Sequence, residues 1–588
     1  HKMDQTKRLI LFIVLSTAFI FAWEAFYPRT PPAPVRPPAD SAVASPAQAP
    51  APGLPAASLP SRAPARPGQP ERFVHVRSPL YNYRFSTRGA ALNAATLPLF
   101  ASYVQDGGSV QLVPRSARDV LTRRIVVGRD TLDFRGVHFS PDAAGLDLRE
   151  SDGPRQLRFV SDPVGSVRAE LTYTFRPNDY VVDVQGRFLG LPAGVQPQMV
   201  TELGTGLAPH DSPEHGSSNE LAVVGWNRER VEREAIRGIQ APDTIPGPLV
   251  WTGIKDRYFL IALINAGGEQ FSRIEMEPAR DIKYMLGGDT LQSPRARARA
   301  VQPLGTDGAF RQQAYLGPQE HARLAAVGNE LEEVNPYGYR WLRPVVRPIA
   351  AAVLWTLNGL HNTLGLHYGW VLILFGFLVR GVTWPLNARA MRAQMKNMAV
   401  QPVLQSRMKE IQEKHRGDPA TMNAEMMKLY QELGVNPLSM MSGCLPLLIP
   451  MPVMITLFFV FQSAIEFRGT SFAWFPDLSL RDPLYLLPVF LVVSMFGLQW
   501  VSTKLSGMEQ NEQTRMMMYM MPVMMGMFFF AMPSGLNLYY ASTNVASFPQ
   551  QILIANERRR ATEKQKAEQK LAVKHDAVKR IPANRKRK

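Results

Sequence analysis

The sequence predicts a polytopic α-helical membrane protein that carries one large all-β domain on the outer side of the bilayer. Three features predict it. Apolar stretches long enough to cross a bilayer cluster in the C-terminal half, short alternating segments fill the middle, and a Pro/Ala-rich stretch separates that middle from one apolar segment near the N-terminus. At 588 residues, with 46% of them hydrophobic, the chain is too long for one domain and not apolar enough to be membrane throughout. Its one cysteine, Cys444, excludes a disulfide framework and a cysteine-based metal cluster. No Gly-rich phosphate loop occurs, which argues against nucleotide-driven work. The formal charge of +17 is uneven, because residues 557–588 alone hold about +9.

Residues 1–8, with Lys7 and Arg8, are expected in the cytoplasm. Residues 9–27 contain "LILFIVLSTAFIFAW" and are expected to form an uncleaved transmembrane anchor, since small-x-small sites occur only about twenty residues further on. Residues 28–70 are almost entirely Pro, Ala, Ser and Arg, which cannot bury a core. As a polyproline-like tether they would reach on the order of 100 Å and hold the next domain near the membrane without fixing it. Residues 71–337 alternate in runs such as "RAELTYTFRP" and "YVVDVQGRFLG" between Gly, Pro, Asn and Asp turns, the pattern of a large two-sheet sandwich, which would lie outside if the N-terminus is cytoplasmic. His75, His138, His210, His215 and His321 lack metal-ligand spacing and read as structural or solvated.

Residues 338–366 are apolar enough to span, yet begin with Arg340, Arg343, Arg347, Pro344 and Pro348. A span here would invert everything downstream and place the basic stretch after it outside, so an interfacial amphipathic helix is expected. Residues 367–387 form the second transmembrane helix, 388–438 a cytoplasmic helical hairpin, 439–555 transmembrane helices three to six, and 556–588 a basic cytoplasmic tail. That gives six spans with both termini inside. The tail would dock ribosomal RNA or anionic lipid, or serve only positive-inside retention.

Arg380 interrupts the apolar run "WVLILFGFLVRGVTWPL". Roughly 11 to 12 Å of hydrocarbon separate it from the inner interface of a bilayer core about 30 Å thick, too far to snorkel. An unpaired arginine at that depth costs about 2.5 to 3.5 kcal/mol, so it should face a bundle interior or a hydrated cavity. None of the apolar runs of the predicted spans, the first being Leu9 to Trp23, holds Asp or Glu between its ends, which disfavours a bundle ion pair and also a proton- or ion-coupled transporter. In the predicted hairpin, Met391, Met395, Met398, Leu404, Met408 and Ile411 recur mostly at three- and four-residue spacing. That Met face is either the hairpin's own core or an adaptable surface for varied apolar clients.

Three blocks then carry a resemblance: "FLVRGVTWPLNARAM", "ELGVNPLSMMSGCLPLLIPMPVMITLFFV" and "MPSGLNLYYASTNVASFPQQ", in that order. They resemble the YidC/Oxa family of membrane protein insertases, and the N-terminal anchor with its large outer domain is similar to the Gram-negative subgroup. The resemblance implies a five-helix core, a β-supersandwich for the outer domain, no enzymatic chemistry and no cofactor. It implies a hydrophilic groove open to cytoplasm and lipid, with Arg380 as its charge, Tyr539 and Tyr540 as the aromatic pair of the last span, and Met451 and Pro452 as client-contacting residues. Gly376 stands where many relatives carry a polar residue and Pro450 where Gln is common, so a sparser polar lining is expected. Nascent membrane proteins, the Sec translocon, the ribosome and membrane lipids are the implied partners. A transporter and a membrane-tethered periplasmic carbohydrate-binding or carbohydrate-processing protein are the alternatives.

Overall fold

The computed structural model describes residues 70–104, 108–192, 194, 196–286, 288–305, 307–335, 342–415, 418–432, 451–506 and 512–579. The predicted anchor, tether and final residues of the tail lie outside these.

Strands occupy the chain from Phe73 to Pro318. The sequence predicts two sheets, whereas the strands divide among three, of nine, six and five strands. The nine-stranded sheet, centred on Phe259–Gly267, Ala309–Pro318 and Val181–Leu189, packs against both of the others. Phe85 of the five-stranded sheet meets Tyr173 at 5.0 Å between ring centroids, and Ile274 of the six-stranded sheet lies against Gly225. Strand twist explains the division, because a second sheet as wide as the first would turn away from its partner. Two narrower sheets cover the wide one instead.

Period-two alternation supplies the core. In Asn82–Ser86 and the turn before it, Tyr81, Tyr83 and Phe85 are buried while Asn82 and Arg84 lie on the other face. The run "RARARA" works the same way in Asp289–Pro303: Ala296, Ala298 and Ala300 are buried, and Arg297 and Arg299 turn to Glu202 on the neighbouring strand Gln198–Gly204. Glu202 is wholly buried and lies within 3.2 to 3.8 Å of Arg124, Arg135, Arg297 and Arg299. A lone buried carboxylate would be intolerable; four guanidinium groups make it a cross-strand rivet.

After the last strand come a short helix, α1 (His321–Val327), and a 3-10 turn, Leu331–Val334, whose Leu331 and Val334 close the β core. Then come α2 (Arg343–Leu364), α3 (Tyr368–Lys414), α4 (Pro419–Glu432), α5 (Met451–Ser463), α6 (Leu486–Ser506), α7 (Glu512–Phe530) and α8 (Ser534–Lys579). In α2, Val346, Ala350, Val353, Leu354 and Leu357 are buried, the last four in the bundle's core, while Trp355 is exposed, and Arg347 Nε reaches Glu333 at 3.0 Å, joining the helix to the end of the β domain. Asp418 accepts the Ala420 and Thr421 amides and so caps α4, as Asp482 accepts the Leu487 amide at the start of α6.

Among the described residues one segment, Tyr368–Arg389, is long and apolar enough to cross a membrane; Val453–Ser463 and Leu486–Val501 are shorter apolar stretches. The helix bearing it does not stop at the bilayer boundary. At 47 residues α3 measures about 70 Å, more than twice a hydrocarbon core of about 30 Å, and the 46-residue α8 is nearly as long.

Replacing Glu202 by Ala should leave Arg124 without a carboxylate, while Arg135, Arg297 and Arg299 keep Asp133, Asp119 and Glu277, and should destabilise the β domain by about 3 kcal/mol. Hydrogen exchange of the strand Gln198–Gly204 in denaturant measures it, and an unchanged exchange midpoint would rule out the rivet role.

Candidate functional site

Helices α3 and α8 start at the same place, the outer loop after α5. The ring of Phe472 in that loop lies 5.4 Å from Trp370 near the start of α3, while at the start of α8 Ser534 Oγ donates to Asp477 O and the Gly535 amide to Leu478 O. From there they run side by side, and Gln550 Nε2 of α8 donates to Trp384 O of α3 at 3.1 Å.

Gly376 lies where the two helices approach closely. A Cβ there would lie 2.9 Å from Ser542 Cβ and 3.1 Å from Tyr539 O, so the absent side chain is what lets the helices touch. One turn on, Arg380 is partly buried, and its Nε is shut from solvent with no hydrogen-bond partner. No carboxylate pairs with it among the described residues. Tyr539 packs 5.6 Å from Phe375 and 5.3 Å from Tyr540, whose buried hydroxyl also lacks a partner. The structure therefore brings Arg380, Gly376, Tyr539 and Tyr540 to one helix pair. Polar groups nearby are mostly spent on their own helices: Thr383 Oγ1 bonds Val379 O, and Thr543 Oγ1 bonds Tyr539 O. Met451 and Pro452 begin α5, and Met391, Met395 and Met398 lie on α3 beyond the apolar segment, but their side chains are outside the described set. Met408 is half-buried on the same helix.

The outer end holds a cluster that the sequence reading missed. His210 and His215, expected to be structural or solvated, are buried beside carboxylates where the β domain meets the loop after α5. Arg468 of that loop donates its Nε to Asp211 Oδ1 at 2.8 Å and Nη2 to Ala101 O at 2.9 Å, with the Tyr103 ring 4.8 Å beneath the guanidinium. Asp477 accepts from Tyr103 Oη and His215 Nε2, each at 3.0 Å, from the Gly469 amide at 2.8 Å, and from the Ser479 amide and hydroxyl at 2.7 Å. Gly469 is confined to glycine by φ of 71° and by Tyr103 Oη, which a Cβ would meet at 2.8 Å. Residues only two positions apart belong to different cores, Ile465 to the β domain and Phe467 to the bundle. The only sequence signal was density, the acids and histidines of "HDSPEH" and the loop "FRGTSFAWFPDLSLRDP".

Burial works against the Asp477 carboxylate, yet the hydrogen bonds from His215, Ser479 and Gly469 hold its pKa down at about 2. Burial likewise disfavours a charged His210, but Asp256, 3.0 Å from its Nε2, and Asp211 raise its pKa above the usual value.

Residues 359–562 match the family described as 60Kd inner membrane protein, and residues 73–352 match the YidC periplasmic domain. The chain is 30% identical to the membrane protein insertase YidC of Chlorobaculum parvum, covering 88% of this chain and 87% of that one. To the protein of the same name from Cupriavidus necator it is also 30% identical, covering 93% and 96%. The chain belongs to the YidC family of membrane protein insertases. As a member it is an inner-membrane protein, and its β domain is the family's periplasmic domain. A solved active YidC insertase is similar at 19% identity with a TM-score of 0.32, over 82% of this chain and 94% of that one.

Replacing Arg468 by Met should unlatch the β domain from the bundle. In a Cys444→Ser background, spin labels placed at the exposed Arg187 and Tyr485 should show a narrow distance distribution in the parent and a broad one in the variant. The same readout should depend on pH with two signs. Asp477, depressed on folding, contributes fully above about pH 4, and that contribution, ~2 kcal/mol, drains away as the pH falls towards 2. His210, raised on folding, contributes fully below about pH 6.5 and is lost as the pH climbs through its higher folded value. A distribution that is equally narrow in Arg468→Met at every pH would show that the latch holds nothing.

Proposed function

We propose that this chain receives hydrophobic segments of newly made membrane proteins in a groove beside Arg380 and passes them sideways into the lipid of the inner membrane. Insertion of membrane proteins is the activity of its family; the groove, the residues and the topology are this reading's own. It supposes six spans with both termini in the cytoplasm, with the boundaries given above, and treats residues 71–337 as the periplasmic domain and 388–438 as a cytoplasmic hairpin.

The observation that carries the reading is a guanidinium within the apolar segment Tyr368–Arg389 whose Nε has no partner. In a sealed bundle such a group costs several kcal/mol, whereas beside a water-filled groove it is hydrated, and its charge attracts the polar or acidic flank of a client. The client's own segment supplies the driving force by partitioning into lipid, and no covalent step is needed. The groove lowers the barrier because the flank remains solvated while the apolar helix slides past Tyr539, Tyr540 and the α5 residues Met451 and Pro452. Residues of α3 beyond Arg389 extend about 37 Å further, far enough for Met391, Met395, Met398 and Met408 to meet clients before they enter the groove. Action alone or with the Sec translocon, a helper role in folding and assembly, and docking of ribosome or lipid by the basic tail belong to the same reading. The transporter and carbohydrate alternatives find no support in the family.

If charge rather than guanidinium shape is what matters, activity should fall in the order Arg380, Arg380→Lys, Arg380→Ala, Arg380→Glu, with the last at least about tenfold below the parent, ~1.4 kcal/mol of barrier. Insertion of paired clients with acidic or neutral translocated tails into proteoliposomes at matched protein levels measures it. Clients with acidic tails should suffer most, and full activity with glutamate would end the groove-charge reading.

A further inference from the structure

A second polar concavity lies on the β domain, on the outer face of its five-stranded sheet. Val74, Val76, Tyr83 and Phe85 point inward from the paired strands Phe73–Arg77 and Asn82–Ser86, so His75 and Arg84, opposite each other in register, stand on the outer face. With Asn93 and Gln111 from the next two strands and Arg115 and Arg118 from the loop beyond them they line a cleft of about 570 Å³, within the range of about 300–1,000 Å³ usual for binding pockets.

The hydrogen-bonding state of these groups specifies what would fit. Asn93 Oδ1 is occupied by Arg84 Nη2 at 2.6 Å, and Gln111 Oε1 by the Ala95 amide at 2.7 Å, so each amide has its donor end to offer. Glu71, the one acid in the lining, already accepts from Ser86 Oγ at 2.6 Å. Arg84 Nε and His75 Nδ1 are shut from solvent without partners, and Arg115 and Arg118 are exposed cations with no ion pair among the described residues. The cleft thus carries more donors and positive charge than acceptors, which are confined to Asn82, Thr96 and the second oxygen of Glu71. Polyhydroxylated ligands such as saccharides need both donors and acceptors; carboxylates and peptide carbonyls need donors only.

Position narrows the choice further. The strand Leu92–Ala101 carries Asn93, Ala94 and Thr96 in the cleft, and at its other end Ala101 O accepts Arg468 of the outer loop. Thr96 and Ala101 are separated by about 17 Å of strand, so the cleft lies one short segment from the place where the β domain meets the helices.

We propose that this cleft binds a short, extended, acidic stretch of polypeptide, the translocated flank of a client. The inference rests on the insertase reading above and adds a second contact to it, outside the membrane. Two carboxylates bridge Arg84 and the Arg115–Arg118 pair, while Asn93 and Gln111 donate to backbone carbonyls.

The test uses the full chain in lipid nanodiscs and a fluorescent eight-residue peptide of alternating Asp and Ser, read by anisotropy. Its controls are the same peptide with Asn for Asp, and free succinate as competitor. The acidic peptide should bind at least tenfold more tightly than the Asn peptide, and both Arg84→Gln and the surface double variant Arg115→Ser/Arg118→Ser should lose at least fivefold while the β domain melts at the parent temperature. Binding unchanged by these variants would place the peptide on the basic tail and overturn the proposal, as would equal binding of the two peptides. Displacement by succinate at concentrations equal to the peptide's would overturn it in favour of a small-anion site. Insertion by the parent protein, measured in parallel, separates the two readings: normal insertion without cleft binding removes the cleft alone, and absent insertion removes the function it serves.

Discussion

Arg468, carried by the loop after α5, has a side chain only 2% exposed, and its partner Asp211 in the β domain is 1% exposed. Burying two such charges between separate folding units is costly unless every donor and acceptor is used, and here nearly all are: a carboxylate, a strand carbonyl and three aromatic rings surround one guanidinium. Asp477 is satisfied as thoroughly by five donors, two of them from the β domain. The latch is therefore specific rather than adhesive. Hydrophobic contact alone would let the domain slide, whereas a carboxylate with five fixed donors accepts one register.

That register propagates inward. Asp477, Leu478 and Leu480 also hold the first residues of α8, because Ser534 and Gly535 donate to their carbonyls. From this fixed start about 8 Å of helix leads to Tyr539, whose carbonyl lies against Gly376, and one turn of α3 leads on to Arg380. One end of the pair is tied to the β domain at the latch, and farther along α3 Arg407 pairs with Glu432 of α4 at 3.3 Å.

How much of this could be read in the sequence depends on the range of the interactions. Alternation marked the β domain because a strand records its buried face at every second residue, as in Tyr81, Tyr83 and Phe85. Arg380 stood out because charge within an apolar run is rare for a strong physical reason. The third sheet could not be read, since twist and facing area are properties of assembled strands. The latch was invisible for another reason: Arg468 and Asp211 are 257 positions apart, and nothing local distinguishes a histidine that will be buried beside Asp477 from one on a surface. Gly376 shows the limit within the site itself. Comparison of blocks marked it as a missing polar group, and only the helix pair reveals it as the contact that brings the tyrosines to the arginine.

Arg468 and Arg380 are the same residue type under opposite treatment. One is surrounded by acceptors and aromatic rings; the other lies within the apolar segment Tyr368–Arg389 with its Nε unmatched. A fold able to satisfy Arg468, and to gather four arginines around Glu202, has the means to neutralise a buried guanidinium where neutrality is wanted. In the helix pair the neighbouring hydroxyls of Thr383 and Thr543 bond carbonyls of their own helices instead, and no acid among the described residues stands near. Among the described residues the local choices all point one way: neighbouring acceptors are spent on their own helices, and Arg380 Nε, shut from solvent, is left without a partner.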